Sequence, residues 1–451
     1  MASVSEEQYA GEINLEYLRI FSSEGVRVDL SSIVVEINLF EDIFSSSFTG
    51  NIIIVDTLNL IEKLPILGQE YIELKCSTPQ ENPTKESVIE KRFVLHSIVA
   101  REDISTGAQA YSLDIATEDS LINLKTRVSK SYTNTINNIV SDVLAIKLGS
   151  PQDLNIEPTL GIRRIVSPNV HPYTLINMLK KEAVSTLSNN ASLPPHFLFF
   201  ENKNGFNFVS LQSLYNNGIV ARLHSGDKES DESLGREAYH KDDTKIAQSN
   251  KRILSYSFGA NNDLSSNITN GMMGSNLTTH DIYNKSYQNY NYDYFRDFNK
   301  HDRTETHGKP IYNESSGPQK YLMSEFTNSS IKVHPTCGLE TDKQHYGDGD
   351  LRANKPQDWI LDRQAKMFEL TNGGTINISM NGNTNMTVGD MVHIYIPVTG
   401  VDHDDEEVES TSGNYLITKL RHAISPQQKQ HEIHMQLVRD CTTKSYKQME
   451  G

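Results

Sequence analysis

The sequence predicts a mainly β protein with α+β parts: two β-barrels, a helix-containing α/β middle domain and an irregular insertion. Three observations carry this. Apolar residues alternate with period two near the start and again near the end of the chain, the signature of half-buried strands. Between residues 133 and 184 the period becomes that of helices with one buried stripe. The stretch 261–317, rich in Asn, Tyr, Asp and Thr, follows neither pattern.

Composition sets the bounds. A chain of 451 residues is long enough for several domains. No run approaches the ~18 apolar residues of a membrane helix, so direct membrane insertion is not expected. The polar, acidic start MASVSEEQYAGE lacks the basic opening and apolar core of a signal peptide, which points to folding in a cytoplasm. Cys76, Cys337 and Cys441 lie far apart, which argues against a disulfide framework or a Cys-rich zinc site. With 42 basic and 58 acidic residues the formal net charge is −16. A sequence-independent nucleic-acid binder needs a basic face, so that class is disfavoured.

In residues 32–40, Ile33, Val35, Ile37 and Leu39 alternate with Val34, Glu36, Asn38 and Phe40. Phe48, Gly50, Ile52 and Ile54 alternate again up to Asp56. A helical turn over 58–64 stops at Pro65, and Gly68 leads into a strand over 71–76. Strands over 92–101 and 109–117 complete the first barrel, given residues 1–125. Ile136, Ile139, Val140, Val143 and Leu144 then form a helical stripe, with Thr133 or Ser131 as N-cap and Gly149 and Pro151 as terminators. A second helix opens at Pro172 and buries Ile176, Leu179 and Ala183. The runs 197–201 and 206–211 flank Asn204-Gly205, the clearest hairpin in the chain. These elements make the middle domain, 126–215.

Residues 216–260 start the second barrel and 261–350 form the insertion, in which Tyr290, Tyr292 and Tyr294 suggest an edge strand with an aromatic face. A helix over 356–370 and strands over 375–380, 391–396, 415–423 and 432–438 fill the remainder of the second barrel, 351–445.

No catalytic motif is present: no G-x-S-x-G, H-E-x-x-H, Walker A loop or G-x-G-x-x-G. The sequence therefore predicts no enzyme, no cofactor and no catalytic, cofactor-binding or metal residues. Three clusters carry metal-ligating or titratable residues. His334, Cys337 and His345, near Asp348 and Asp350, suit zinc chemically but lack a fourth ligand at standard spacing. The run Asp402, Asp404, Asp405, Glu406, Glu407 and Glu409 lacks the ordered spacing of a calcium loop and reads as a solvated loop. His422, His431 and His434 could sense pH, but in a chain with 15 histidines they read as strand-surface residues.

The stretch IVVEINLFEDIFSSSFTGNIIIVDTLNLIEKLPILGQEYIEL resembles the first, tail-tube-like domain of baseplate hub proteins of contractile-tailed bacteriophages. Asp56 and Gly68 fall where that domain ends its second strand and begins its third. The second helix with FLFFENKNGFNFVSLQSL is similar to the family's middle domain. TVGDMVHIYIP and GNYLITKLRHAIS…HMQLVRD are similar to its second tube-like barrel.

The resemblance implies a structural homotrimer at the virion's tail baseplate. Its three pairs of barrels would adapt a sixfold tail tube to a threefold central spike, beside baseplate wedge and tape-measure proteins. DNA would pass only in transit through the channel. Tailocins and bacterial contractile secretion systems carry similar hubs. Rival readings are a peripheral receptor- or glycan-binding tail protein, supported by the Tyr-rich strand, and a hub-associated cell-wall hydrolase.

Overall fold

A computed structural model describes residues 9–22, 25–57, 59–64, 66–79, 87–105, 107–187, 194–225, 249–259, 263–281, 285–305, 331–336, 355–396 and 411–441. Its first sheet is built from β1 (Asn14–Phe21), β2 (Arg27–Asp29), β3 (Val34–Asp42), β4 (Thr49–Asp56), β5 (Tyr71–Ser77), β6 (Val88–Ser105) and β7 (Ala108–Thr117). They run in the order β3-β4-β7-β6-β5-β1-β2 and curl around a core that includes Leu18, Ile37, Leu39, Ile52, Leu74 and Leu113.

The predicted alternation in β3 slips by one residue. Val34 is fully buried and Val35 is 39% exposed, because a bulge between Val34 and Glu36 against β4 shifts the side-chain phase. The turn after β4 is the short helix α1 (Leu60–Lys63). Its start is fixed by buried Asp56, whose carboxylate accepts the Leu60 N–H at 2.6 Å and the Tyr111 hydroxyl at 3.2 Å.

The middle unit holds α2 (Glu118–Lys125), β8 (Ser131–Thr135), α3 (Ile136–Asp142), β9 (Asp153–Ile156), β10 (Ile162–Val166) and α4 (Pro172–Glu182). The hairpin β11 (Phe197–Asn202) and β12 (Gly205–Ser210) follows, then α5 (Leu211–Asn216). The first long helix starts later than expected. Ser131 and Thr133 are not its caps but strand residues opposite Val166 and Arg164 of β10, and the N-cap is Thr135. The predicted stripe is buried as read, although the helix widens into a π turn over Val143–Leu148 before stopping at Gly149, φ +67°.

Every residue of β11 and β12 is buried, so neither face of the hairpin alternates with solvent. Phe197, Phe199, Phe206 and Phe208 enter the core of the helical unit. Leu198, Phe200 and Val209 point the other way, into the second barrel's core. Gly205, at φ +141°, has a second reason to be glycine: a Cβ there would lie 2.2 Å from the Asp153 carbonyl of β9.

The second barrel is interrupted. Its β13 (Ile219–Ser225) and β14 (Arg252–Phe258) precede β15 (Gly274–Asp281), β16 (Ser286–Asp293) and β17 (Ile331–Thr336) of the insertion. Its β18 (Gly374–Asn381), β19 (Met391–Tyr395), β20 (Gly413–Ser425) and β21 (Gln430–Arg439) come after. The order β19-β13-β14-β18-β21-β20 closes through β19–β20 into a six-stranded barrel. The insertion carries more regular structure than its composition suggests: β16-β15-β17 form a small sheet, with helices α6 (Leu264–Thr269) and α7 (Tyr294–Asp297), and α8 (Ile360–Asn372), which follows it in the chain, packs against it. Tyr290 and Tyr292 lie on the edge strand β16 as expected, whereas Tyr294 opens α7.

The two barrels share a five-stranded motif. In chain order, β3, β4, β5, β6 and β7 correspond to β14, β18, β19, β20 and β21. The antiparallel pairings β3–β4, β4–β7, β5–β6 and β6–β7 recur as β14–β18, β18–β21, β19–β20 and β20–β21. The sixth strand differs in direction: β1 runs antiparallel to β5, whereas β13 runs parallel to β19 and β14. The bulges recur too: Val34/Glu36 matches Ile253/Ser255, and Leu95/Ser97 matches Ile417/Lys419. The two copies are joined by antiparallel pairing of β3 with β20, from Lys419 opposite Asp42 to Ile424 opposite Ile37, which makes one 13-stranded sheet.

Truncating Phe200, which is 1% exposed and anchors the hairpin in the second barrel, leaves a cavity with little room to collapse. Phe200→Ala is expected to cost ~3–5 kcal/mol, measured as a lowered urea midpoint at unchanged secondary structure by circular dichroism.

Candidate functional site

The residues that matter most for the architecture sit where the two barrels and the hairpin meet. On the outer face of the β3–β20 joint, the Arg421 guanidinium donates to Asn38 at 2.8 Å and Glu36 at 3.0 Å, and Lys419 stands 4.0 Å from Asp42. On the inner side, Glu41 is 1% exposed. Its carboxylate accepts the Lys203 N–H at 3.0 Å, the Thr387 hydroxyl at 2.5 Å and the Val388 N–H at 2.9 Å. One side chain of the first barrel thus binds the hairpin tip and a loop of the second barrel together. The Lys203 ammonium donates to the Thr384 carbonyl.

Glu201, on β11, makes the reciprocal tie. It accepts the Phe48 N–H at 3.0 Å, the Thr117 hydroxyl at 2.6 Å and the Gln152 amide at 2.7 Å, with the Lys91 ammonium 3.7 Å away. Burial raises the pKa of Glu41 and Glu201 and lowers that of Lys91, and the hydrogen bonds and opposite charges resist that drift. A third buried cluster fastens the insertion. Arg303 pairs with Glu369 at 2.8 Å and Asp440 at 3.6 Å, and Lys366 bonds both carboxylates. Burial alone would raise the Asp440 carboxyl, but the Lys366 and Arg303 cations overcome it and hold the group well below the usual range.

None of these junction residues stands out in the sequence as chemistry. The one readable signal is an ionisable residue inside an otherwise apolar strand, as with Glu201 in FLFFEN.

The three histidines separate. His422 and His431 are fully buried, correcting their reading as surface residues, because both point from neighbouring strands into the interior. Their ring nitrogens, His422 Nδ1 and His431 Nε2, lie 3.0 Å apart. His434 alone is half-buried, 3.9 Å from Glu432. Tyr292 and Tyr294 pack into the insertion's core and Tyr290 lies against it, so these rings do not present a free sugar-stacking face.

Cys337, His345, Asp348, Asp350 and the acidic run 402–409 lie outside the described residues, as does the side chain of His334. Among the described residues no three His, Cys, Asp or Glu side chains converge as a metal site. An open groove of about 590 Å³ crosses the outer sheet face over the joint, lined by Phe40, Tyr256, Lys419, Arg421 and His434.

No protein-family profile matches the chain. In sequence it is 23% identical, over 389 residues covering 84% of both proteins, to a probable baseplate hub protein of Vibrio phage KVP40. In fold it is similar to a tail protein from Neisseria meningitidis MC58, with a TM-score of 0.51, 12% identity and coverage of 94% of this chain and 96% of that one. The 43 kDa tail protein of prophage MuSo2 from Shewanella oneidensis also scores 0.51, at 8% identity and coverage of 94% and 99%. The fold is thus similar to that of two tail proteins. The resemblance to baseplate hub proteins holds over most of the chain, and the likenesses support a structural tail component.

The buried histidine pair gives a pH dependence. Burial is the main cause of depressed pKa values in both rings. His431 and Lys203 add to it at His422, and Lys203 adds to it at His431, which falls to about 3. An unfolded histidine titrates near ~6.5, so the unfolded chain takes up protons that the folded pair refuses. Stability from the neutral pair is complete above roughly pH 6.5 and is lost as pH falls toward about 3, by up to ~1.4 kcal/mol per pH unit per ring. The wild type should therefore lose urea stability from pH 7 to pH 5 faster than His422→Gln. Parallel losses in the two proteins would mean that the His422 ring does not titrate in this way.

Proposed function

We propose that the chain is the structural baseplate hub of a contractile phage tail. Three copies act as a symmetry adaptor between the sixfold tail tube and the threefold central spike, around the channel through which DNA is ejected. The supporting observation is the internal repeat: two barrels that share a five-stranded antiparallel motif with matching bulges, fused edge to edge through β3 and β20. A chain that carries two equivalent units per copy offers six such units in a trimer, which is what a threefold-to-sixfold transition requires. Spike, tube, wedge and tape-measure proteins are the partners in this reading, in a virion assembled in the host cytoplasm.

The junction chemistry fits a static role. Glu41, Glu201 and Asp440 are all occupied by internal donors that hold units together, an arrangement that keeps a load-carrying part rigid. No enzymatic activity is part of this proposal, and a zymogram of the purified protein on peptidoglycan should show no cleared band.

The mass in solution decides the reading first. Light scattering should give a particle near three chains of 50.8 kDa each. A stable dimer would count against the adaptor.

A further inference from the structure

The internal repeat makes the β3–β20 joint a template, because each of its two strands has a counterpart in the other barrel. The counterpart of β3 is β14, and the counterpart of β20 is β6. Among the described strands, both counterparts present an open edge at the matching place. β14 bonds β18 along Ile253–Phe258 but meets β13 only at Arg252 and Ile253. β6 bonds β5 from Val88 to Val94 and β7 from Phe93 to Ser105, so that from Ser97 onward no described strand pairs with its other side.

Exposure tells the same story. Ile37 and Leu39 of β3 are fully buried, with Ile424 of β20 packed in the same core. Their counterparts by register, Tyr256 and Phe258, are 36% and 48% exposed. Val99 on β6 is 41% exposed and Ile104 is 59% exposed. Large apolar residues on open, unpaired edges are what a sheet normally hides or pairs.

We infer that these two edges are the interface between copies. The β6 edge of one chain pairs antiparallel with the β14 edge of the next, repeating between chains the joint that β20 and β3 make within one. Transferring the register of that joint puts Val99 opposite Gly259, Glu102 opposite Ser257 and Asp103 opposite Tyr256, with the bulged Ala100 and Arg101 facing Phe258. The contact is head-to-tail, since each copy gives a different edge to each neighbour, and such contacts close only as a ring. The inference rests on the trimeric reading above and adds the surfaces that make it.

Residues directly opposite in an antiparallel pair have Cα atoms ~4.5–5.5 Å apart, within the span of a disulfide. The full-length Glu102→Cys/Ser257→Cys double variant, oxidised mildly and run on a non-reducing gel, should therefore form covalent species that end at three chains. Neither single variant should do so, nor the parent chain with its native cysteines. Light scattering on the same sample separates the two levels of the claim. A trimer without the specific cross-link overturns the edge assignment and leaves the trimeric reading standing; a monomer without it overturns both. As a second measure, Phe258→Asp places a charge on an exposed position, so the fold should survive by circular dichroism. Burying that charge in the contact should raise the dissociation constant of the oligomer at least ~10-fold. Unchanged association would count against the edges.

Discussion

Backbone pairing between β3 and β20 is the constraint on which the rest of the molecule depends. It turns two barrels into one sheet and fixes their register from Asp42 to Ile37, and beside it the β11–β12 hairpin is buried between two cores. That position explains why both faces of the hairpin are apolar and why its end carries Glu201 and Lys203. Charges at such a place are costly to bury, and each is retained with several partners. Glu41 accepts two backbone N–H groups whose own alternatives to water are few, so its removal would orphan donors on two other units at once.

The two sides of the joint play different physical roles. The outer pairs of Arg421 and Lys419 are partly solvated and contribute little beyond register. The inner carboxylates are directional, because their donors come from fixed backbone positions. Hydrophobic contact alone would let the barrels slide against each other; hydrogen bonds to a buried acid specify one arrangement.

Much of this architecture was legible in the sequence wherever one periodicity governed a segment. The strands around Ile52, Tyr71 and Leu113, the stripe from Ile136 to Leu144 and the Asn-Gly hairpin lie where their patterns put them. Reading failed where tertiary pairing overruled local preference. Thr133 has a cap-forming side chain, but β10 claimed it for a strand. Val35 obeys the alternation, yet the bulge turns Val34 inward instead. His422 and His431 look like surface strand residues because nothing in one strand tells which neighbour will cover it. Glu41 was invisible for the same reason: a buried glutamate is recognised by its donors, and Lys203, Thr387 and Val388 lie far from it in sequence.

The interruption of the second barrel also bears on how the chain is made. All strands of the first barrel have been synthesised once Thr117 is added, so that unit can fold early, as soon as this segment clears the ribosome. The second barrel cannot close until β21 ends at Arg439, although β13 and β14 emerge much sooner. Through that interval β14 waits without its neighbour β18, and Leu254, Tyr256 and Phe258 are bare on a growing chain. The early barrel is then the scaffold on which the late one condenses. The order of synthesis, rather than the finished contacts, makes β14 the segment most exposed to mispairing with another nascent copy.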